Sequence, residues 1–293
     1  MDTNASSPPV AYWQLRTRRL TFERRPLVMG IINVTPDSFS DGGRYLDSHA
    51  AVDAAARMID QGADILDIGG ESTRPYSQPV DAEEELRRVL PVIQEIVRGS
   101  NIPVSIDTSK AAVAEAALEA GAEIINDVTA LTGDPAMLRQ AIQSQAGVCA
   151  MHMRGTPQTM QDDPRYGDVV EDIFGYLRER RDQLVAAGLD PARLALDPGI
   201  GFGKTHDHNL ALVAGCRRFL DLGSVLLVGH SRKAFIGKVM ARENPAWREA
   251  DRTYGTLGVS LALAAQGVHV LRVHDVLATR QALSLFTACR GGE

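Results

Sequence analysis

Asn33, Thr35, Asp37, Ser38 and Asp41 offer oxygen donors within one short stretch, Asn33 to Gly43, together with the turn formers Pro36 and Gly42-Gly43. Hard oxygen donors of this kind suit Mg²⁺, which takes few protein ligands and completes its shell with water and substrate phosphate. An ordinary polar turn uses the same residue types. Asp107, Asn126 and Asp197 each close a short apolar run, so they are expected to be partly buried, and a buried carboxylate needs donors to offset desolvation. A nitrogen heterocycle with adjacent N–H and amino groups supplies those donors: Asp197 can accept two parallel hydrogen bonds, and Asn126 can donate and accept. Pairing with interior arginines or capping of helices is the alternative use. Arg74, Arg232, Lys233, Arg272 and His274 form a contrasting set of cations suited to phosphate. The helix expected after Lys233 adds free N–H groups as a second anion site. Solvated surface charge is the competing reading of Arg232, Lys233 and Arg272. The pair His206-Asp207-His208 reads as a solvated loop rather than a zinc site, and no serine or cysteine elbow is present.

The elements that must hold these groups follow from periodicity. Short apolar runs rich in β-branched residues occur at Leu27 to Ile32, Ile65 to Ile68, Val104 to Ile106, Ile124 to Asn126, Val148 to His152, Leu194 to Asp197, Val225 to Val228 and Val268 to Val273. Between and after them lie helical segments: His49 to Gln61, Ala82 to Val97, Lys110 to Ala120, Pro135 to Gln145, Val169 to Ala187, Asn209 to Leu220, Thr256 to Gln266 and Val276 to Ala288. Gly62, Gly121, Gly188 and Gly267 stand as helix stops.

This unbroken alternation predicts a single (β/α)8 TIM barrel with a short N-terminal extension. An open doubly wound sheet would be expected to carry a GxGxxG fingerprint after its first strand, and none is there. Residues 1–14 read as a flexible leader and 15–293 as the barrel domain, with Leu15 to Phe22 covering the lower mouth. In such a barrel, chemistry sits at the carboxyl ends of the strands. Asn33, Asp67 with Gly69 to Pro75, Asp107, Asn126 with Asp127, His152 with Arg154, Asp197 to Lys204, Gly229 to Lys233 and Arg272 to Asp275 all fall there, one group per strand.

Composition bounds the partners. The 293 residues are 44% hydrophobic and 23% charged with net charge −6, which argues against nucleic acid or an anionic membrane surface as partners. No apolar run reaches the ~20 residues that span a bilayer, and Met1 to Pro9 has no hydrophobic signal region, so a cytoplasmic protein is expected. Cys149, Cys216 and Cys289 are far apart and read as reduced, mostly packed thiols.

The segments Met29-Gly-Ile-Ile-Asn-Val-Thr-Pro-Asp-Ser-Phe-Ser-Asp-Gly-Gly43, Gly69-Gly-Glu-Ser-Thr-Arg-Pro75, Ser105-Ile-Asp-Thr108, Met151-His-Met153, Leu196-Asp-Pro-Gly-Ile-Gly-Phe-Gly-Lys204, Gly229-His-Ser-Arg-Lys233 and Arg272-Val-His274 together resemble bacterial dihydropteroate synthases, pterin-binding barrel enzymes. The likeness covers Leu15 to Ala288. It implies a transferase that condenses 7,8-dihydropterin-6-ylmethyl diphosphate with p-aminobenzoate, giving 7,8-dihydropteroate and pyrophosphate in folate synthesis. By that resemblance Asp107, Asn126, Asp197 and Lys233 hold the pterin; Thr73, Arg74, Arg272 and His274 face the diphosphate, with Asn33 as the ligand of Mg²⁺; and Thr73, Pro75, Phe202 and Ala234 bound the p-aminobenzoate pocket. Asp107, Lys233, Arg272 and His274 carry the catalytic roles. Many members have serine where Ala234 stands, so a contact there must use the backbone N–H. The resemblance also implies a homodimer, with the last two helices as one candidate surface, and sulfonamide binding in the p-aminobenzoate pocket. A non-catalytic pterin-binding paralogue and a corrinoid-linked methyltransferase domain are the competing functions.

Overall fold

The computed structural model describes residues 10–35, 43–74, 76–248 and 251–291, with side chains in the first helix described from Ser48 onward. Eight strands close into a barrel. They are β3 (Leu27–Asn33), β4 (Ile65–Gly69), β5 (Val104–Asp107), β6 (Ile124–Asp127), β7 (Gly147–Met151), β8 (Leu194–Asp197), β9 (Val225–Val228) and β10 (Val270–Val273). They run in the order β10-β3-β4-β5-β6-β7-β8-β9, and β9 pairs with β10 to close the ring. Every pairing is parallel, which requires crossovers on the outer face and buries the strands on both sides. Uninterrupted runs such as Ile65-Leu66 and Val225-Leu226-Leu227-Val228 are the sequence form of that double burial.

The outer layer comprises α1 (Gly43–Asp60), α2 (Ala82–Gly99), α3 (Ala111–Glu119), α4 (Met137–Ser144), α5 (Val169–Ala186), α6 (His206–Ala214), α7 (Ala234–Glu243), α8 (Thr253–Ala265) and α9 (Val276–Cys289). Their apolar stripes, Val89, Val92 and Ile93 of α2 among them, pack onto Ile68, Ile106 and the other outward strand residues in one continuous core. The expected helix stops hold: Gly62, Gly121, Gly188 and Gly267 all have positive φ.

Three boundaries differ from the sequence expectation. The first helix begins at Gly43 rather than His49. The segment expected as one helix over Asn209 to Leu220 breaks at Gly215 into α6 and a 3-10 turn, Cys216–Leu222. Strand β9 is followed by two helices, α7 and α8, because Asn244-Pro245 ends the first and a 3-10 turn, Pro245–Arg248, leads toward the second.

The lower mouth is closed by a hairpin, β1 (Tyr12–Gln14) against β2 (Arg19–Thr21). Trp13 and Leu15, both fully buried, fill the barrel floor beside Met29, Ile65, Ile124, Cys149 and Val270. Trp13 Nε1 donates to the Arg193 carbonyl at 2.8 Å, which satisfies its buried N–H. The plug therefore starts ahead of Leu15, so Tyr12 to Gln14 belong to the barrel and not to the leader of residues 1–14. Among the described residues no helix is long and apolar enough to cross a membrane.

Candidate active site

Strand register brings the polar ends together. Asn33 pairs with Gly69, Gly69 with Asp107, and Asp107 with Asn126, so these residues lie side by side on the upper rim. A Cβ at Gly69 would sit 3.5 Å from the Asp107 Cβ and 3.8 Å from the Asn33 Oδ1, so this glycine leaves the space between the two side chains open. Asp67 lies two residues earlier on β4, about 7 Å deeper at ~3.3 Å per residue. Its exposure is zero.

Arg272 enters from β10 and joins these two levels. Its Nε donates to Asp67 Oδ2 at 2.6 Å and its Nη2 to Asp107 Oδ2 at 2.5 Å. Asn126 Nδ2 also donates to Asp67 Oδ2, at 3.2 Å. Two carboxylates thus share one cation. Burial pushes the Asp107 carboxyl up to about 7; Arg272 opposes this, and Asp67, Glu85 and Asp127 reinforce it. Burial alone would weaken the Arg272 charge, but Asp67 and Asp107 outweigh it and hold the guanidinium above its ordinary value. The two sets, Asp107 for a ring and Arg272 for an anion, therefore meet in an ion pair in the ligand-free chain.

On the next strands, Asp197 is buried and its Oδ1 accepts from the Gly199 N–H at 2.7 Å. Burial raises its carboxyl while that N–H and Arg272 pull it down. The Asp197–Lys204 loop needs its glycines: a Cβ at Gly199, where φ is +68°, would lie 1.9 Å from the His152 carbonyl oxygen. This turn sets Phe202 against Met151 and Met160, an apolar wall bordered by Val128 and Met153. The Lys233 ammonium sits 4.1 Å from the centre of the Phe202 ring. Burial and Arg272 draw the Lys233 amine down to about 8, against the pull of Asp197 and Asp107, so it stays mostly charged at pH 7.

His274 differs from the sequence expectation. Its Nδ1 lies 3.0 Å from the Ser231 hydroxyl, and burial, with Arg272, Arg232, Lys233 and Arg74 around it, pushes it down to about 3. Grouped with the cations in the sequence reading, it is neutral at pH 7 in the ligand-free chain. Arg74 and Arg232 are exposed, and the solvated reading holds for Arg232, whose positive φ lets its N–H reach Thr256 Oγ1 at 3.1 Å. Ala234 begins α7 behind Lys233, and no side chain caps that helix. Thr73 is half-buried on a loop that Lys110 anchors through Glu71, while Arg88 Nη1 holds the Gly70 carbonyl at 2.8 Å. Asp37 of the first loop and Pro75 of the p-aminobenzoate set lie outside the described residues.

Several polar strand ends prove structural. Asp127 binds the N–H and hydroxyl of Thr129 and the N–H of Leu131, and Asp275 caps α9. His208 completes a capping box with Thr205, and His206 Nε2 lies 3.0 Å from an Arg242 nitrogen. Among the described residues no group of three His, Cys, Asp or Glu could hold a metal ion. The sequence reading placed Asp67 at the site but gave it no role, and it passed over the buried Lys204, whose Nζ reaches His152 Nδ1 at 3.0 Å and the Phe202 carbonyl at 2.8 Å. A lysine closing a glycine-rich turn was the available signal.

A closed eight-stranded barrel whose rim joins buried carboxylates, a carboxamide and basic groups has the form of a (β/α)8 enzyme, with acceptors suited to a nitrogen-rich ring and cations suited to an anion. Residues 29–274 match the family described as pterin binding enzyme. A dihydropteroate synthase of Neisseria meningitidis serogroup B is 45% identical over 269 residues, covering 90% of this chain and 93% of that one. Two structures of the Xanthomonas albilineans dihydropteroate synthase superpose closely. The one with 4-aminobenzoic acid has a TM-score of 0.87 at 45% identity, covering 96% of this chain and 98% of the other. The one with 7,8-dihydropteroate gives 0.84 at 43%, covering 95% and 98%. The Yersinia pestis dihydropteroate synthase in a sulfonamide drug complex gives 0.86 at 40%, covering 96% and 99%. The chain belongs to the pterin binding enzyme family and, within it, to the dihydropteroate synthases.

Proposed function

We propose that the chain condenses 7,8-dihydropterin-6-ylmethyl diphosphate with p-aminobenzoate to form 7,8-dihydropteroate and pyrophosphate. The observation that carries this reading is the meeting, on one rim, of Asp107, Asn126 and Asp197 with Lys233 over the Phe202 ring and with Arg272 and His274. Asp197 and Asp107 accept from the donor edge of the pterin, Asn126 offers its carboxamide to the same ring, and Lys233 donates to a ring acceptor. The reaction breaks the bond between the pterin methylene carbon and the diphosphate oxygen and forms one to the arylamine nitrogen. The nitrogen then gives up a proton to water. Departure leaves positive charge on the pterin, which Asp107 and Asp197 stabilise, and negative charge on the pyrophosphate, which Arg272 and Arg74 stabilise. His274, held neutral by burial and the cations around it, offers a ring N–H to the diphosphate. The arylamine is weakly basic and neutral at pH 7, so no side chain need serve as general base.

The p-aminobenzoate ring lies against Phe202 near Thr73, with its carboxylate at the uncapped start of α7, on the Ala234 N–H. Sulfonamides copy that acid and enter the same pocket. Asn33 fits a single-ligand Mg²⁺ site: it ends β3 on the rim, half-buried, and its Oδ1 has no hydrogen-bond partner among the described residues. When bound there, Mg²⁺ supplies positive charge to the departing pyrophosphate.

Two further assignments complete the reading. The chain pairs with a second copy, for which the exposed Tyr254 of α8 and Leu277 and Leu285 of α9 offer apolar surface. It works in the cytoplasm, in keeping with three free cysteines. Pyrophosphate release with both substrates and Mg²⁺ tests the activity. Tight pterin binding without p-aminobenzoate-dependent release would mean a binding protein instead.

A further inference from the structure

Asp67 stands below the rim and exposes no surface to a substrate. It is fully buried, yet a single oxygen, Oδ2, accepts from both Arg272 Nε at 2.6 Å and Asn126 Nδ2 at 3.2 Å. Its other oxygen, Oδ1, has no hydrogen-bond partner among the described residues. A buried ion pair is poor evidence of stabilisation, because apolar residues of similar volume commonly serve a core as well or better. The barrel does so on one side, where Ile31 stands in register beside Asp67, while the buried Ser105 stands on the other. The geometry of Arg272 supplies another reason. Its guanidinium spans two levels, with Nε on Asp67 below and Nη2 on Asp107 Oδ2 at 2.5 Å above. Asp107 faces the rim, where the pterin needs an acceptor.

We propose that Asp67 is a positioning residue: it keeps Arg272 in place while the pterin takes over Asp107, so that the released Arg272 Nη2 turns to the diphosphate. In the free chain Asp107 holds that nitrogen. Bound pterin competes for the same carboxylate, and only the deeper Asp67 contact then fixes the guanidinium. Ring recognition and leaving-group stabilisation are thereby joined through one arginine. The inference rests on the synthase reading and deepens it.

The test is steady-state pyrophosphate release by the full chain, its Asp67→Asn and Arg272→Met variants, and the double variant. Asp67→Asn keeps the shape and removes the charge. We expect kcat to fall about tenfold or more, with KM for p-aminobenzoate within about twofold, because the Phe202 wall is untouched. In the Arg272→Met background the same change should cost less than about twofold, since Asp67 then has no guanidinium to hold. A kcat within twofold of the parent, or an equal tenfold loss in both backgrounds, overturns the proposal. Should Asp67→Asn not fold, calorimetry on the unaltered chain decides. Pyrophosphate should bind at least about fivefold tighter when 6-hydroxymethyl-7,8-dihydropterin is already bound, and an unchanged affinity overturns the proposal. Absence of turnover in the unaltered chain would instead overturn the synthase reading, so the two failures are distinct.

Discussion

At the residue scale, the site sets side chains that carry charge in the free chain, Lys233 and Arg272, beside one that is held neutral, His274. His274 is pushed from 6.5 down to about 3, so the folded chain binds its proton less tightly than the unfolded chain. Its contribution to stability is complete above about pH 6.5 and is lost as pH falls toward 3. A His274→Gln chain should therefore lose less stability than the parent between pH 6.5 and 4 in denaturant titrations. Equal losses would contradict the assignment. Asp197→Ala leaves a buried donor of the pterin unpaired, at a cost of about 1–3 kcal/mol, so pterin affinity should fall about tenfold by calorimetry. Unchanged affinity would remove Asp197 from the pterin set. Asp107, Asn126 and Asp197 were legible in the sequence because each is a polar residue closing a buried strand. The neutral state of His274 was not, because it depends on burial and on Arg272, Arg232, Lys233 and Arg74 gathered from separate loops. Pairing of the buried carboxylates with an interior arginine was open as the alternative use, but that Arg272 of β10 joins Asp67 of β4 to Asp107 of β5 depends on the closed ring and was not readable.

At the element scale, the proposed reading gives the Asp197–Lys204 loop, which carries Phe202, the arylamine side of the pocket. Gly199 carries φ +68° with a carbonyl 1.9 Å from where a Cβ would stand, so backbone must move to accept any side chain. Gly199→Ala should lower stability by about 1–3 kcal/mol and raise KM for p-aminobenzoate well above any change in KM for the pterin diphosphate, because Phe202 rides on that turn. Equal changes in both would show that the turn serves the whole site. Strand and helix identities were readable from doubly apolar runs and glycine stops. The division of the segment after β9 into α7 and α8 was harder to see, since Asn244-Pro245 interrupts it only briefly.

At the scale of the molecule, the barrel divides labour between its ends. Trp13 and Leu15 close the floor, while chemistry occupies the opposite rim. Trp13→Ala should destabilise the chain by about 3–5 kcal/mol through the cavity it leaves, yet leave both KM values unchanged in the folded enzyme. A shifted KM would mean that the floor is coupled to the rim. The closed barrel was legible because the alternation never breaks. The start of the plug was not, since Tyr12 to Gln14 is too short to show a period, and only its packing under β8 and Arg193 reveals it. The central claim is most directly tested by product analysis of the purified chain given both substrates and Mg²⁺. We expect 7,8-dihydropteroate and pyrophosphate in equal amounts, with neither formed when p-aminobenzoate is omitted. Pyrophosphate released at the same rate without p-aminobenzoate, or no dihydropteroate at all, would contradict it.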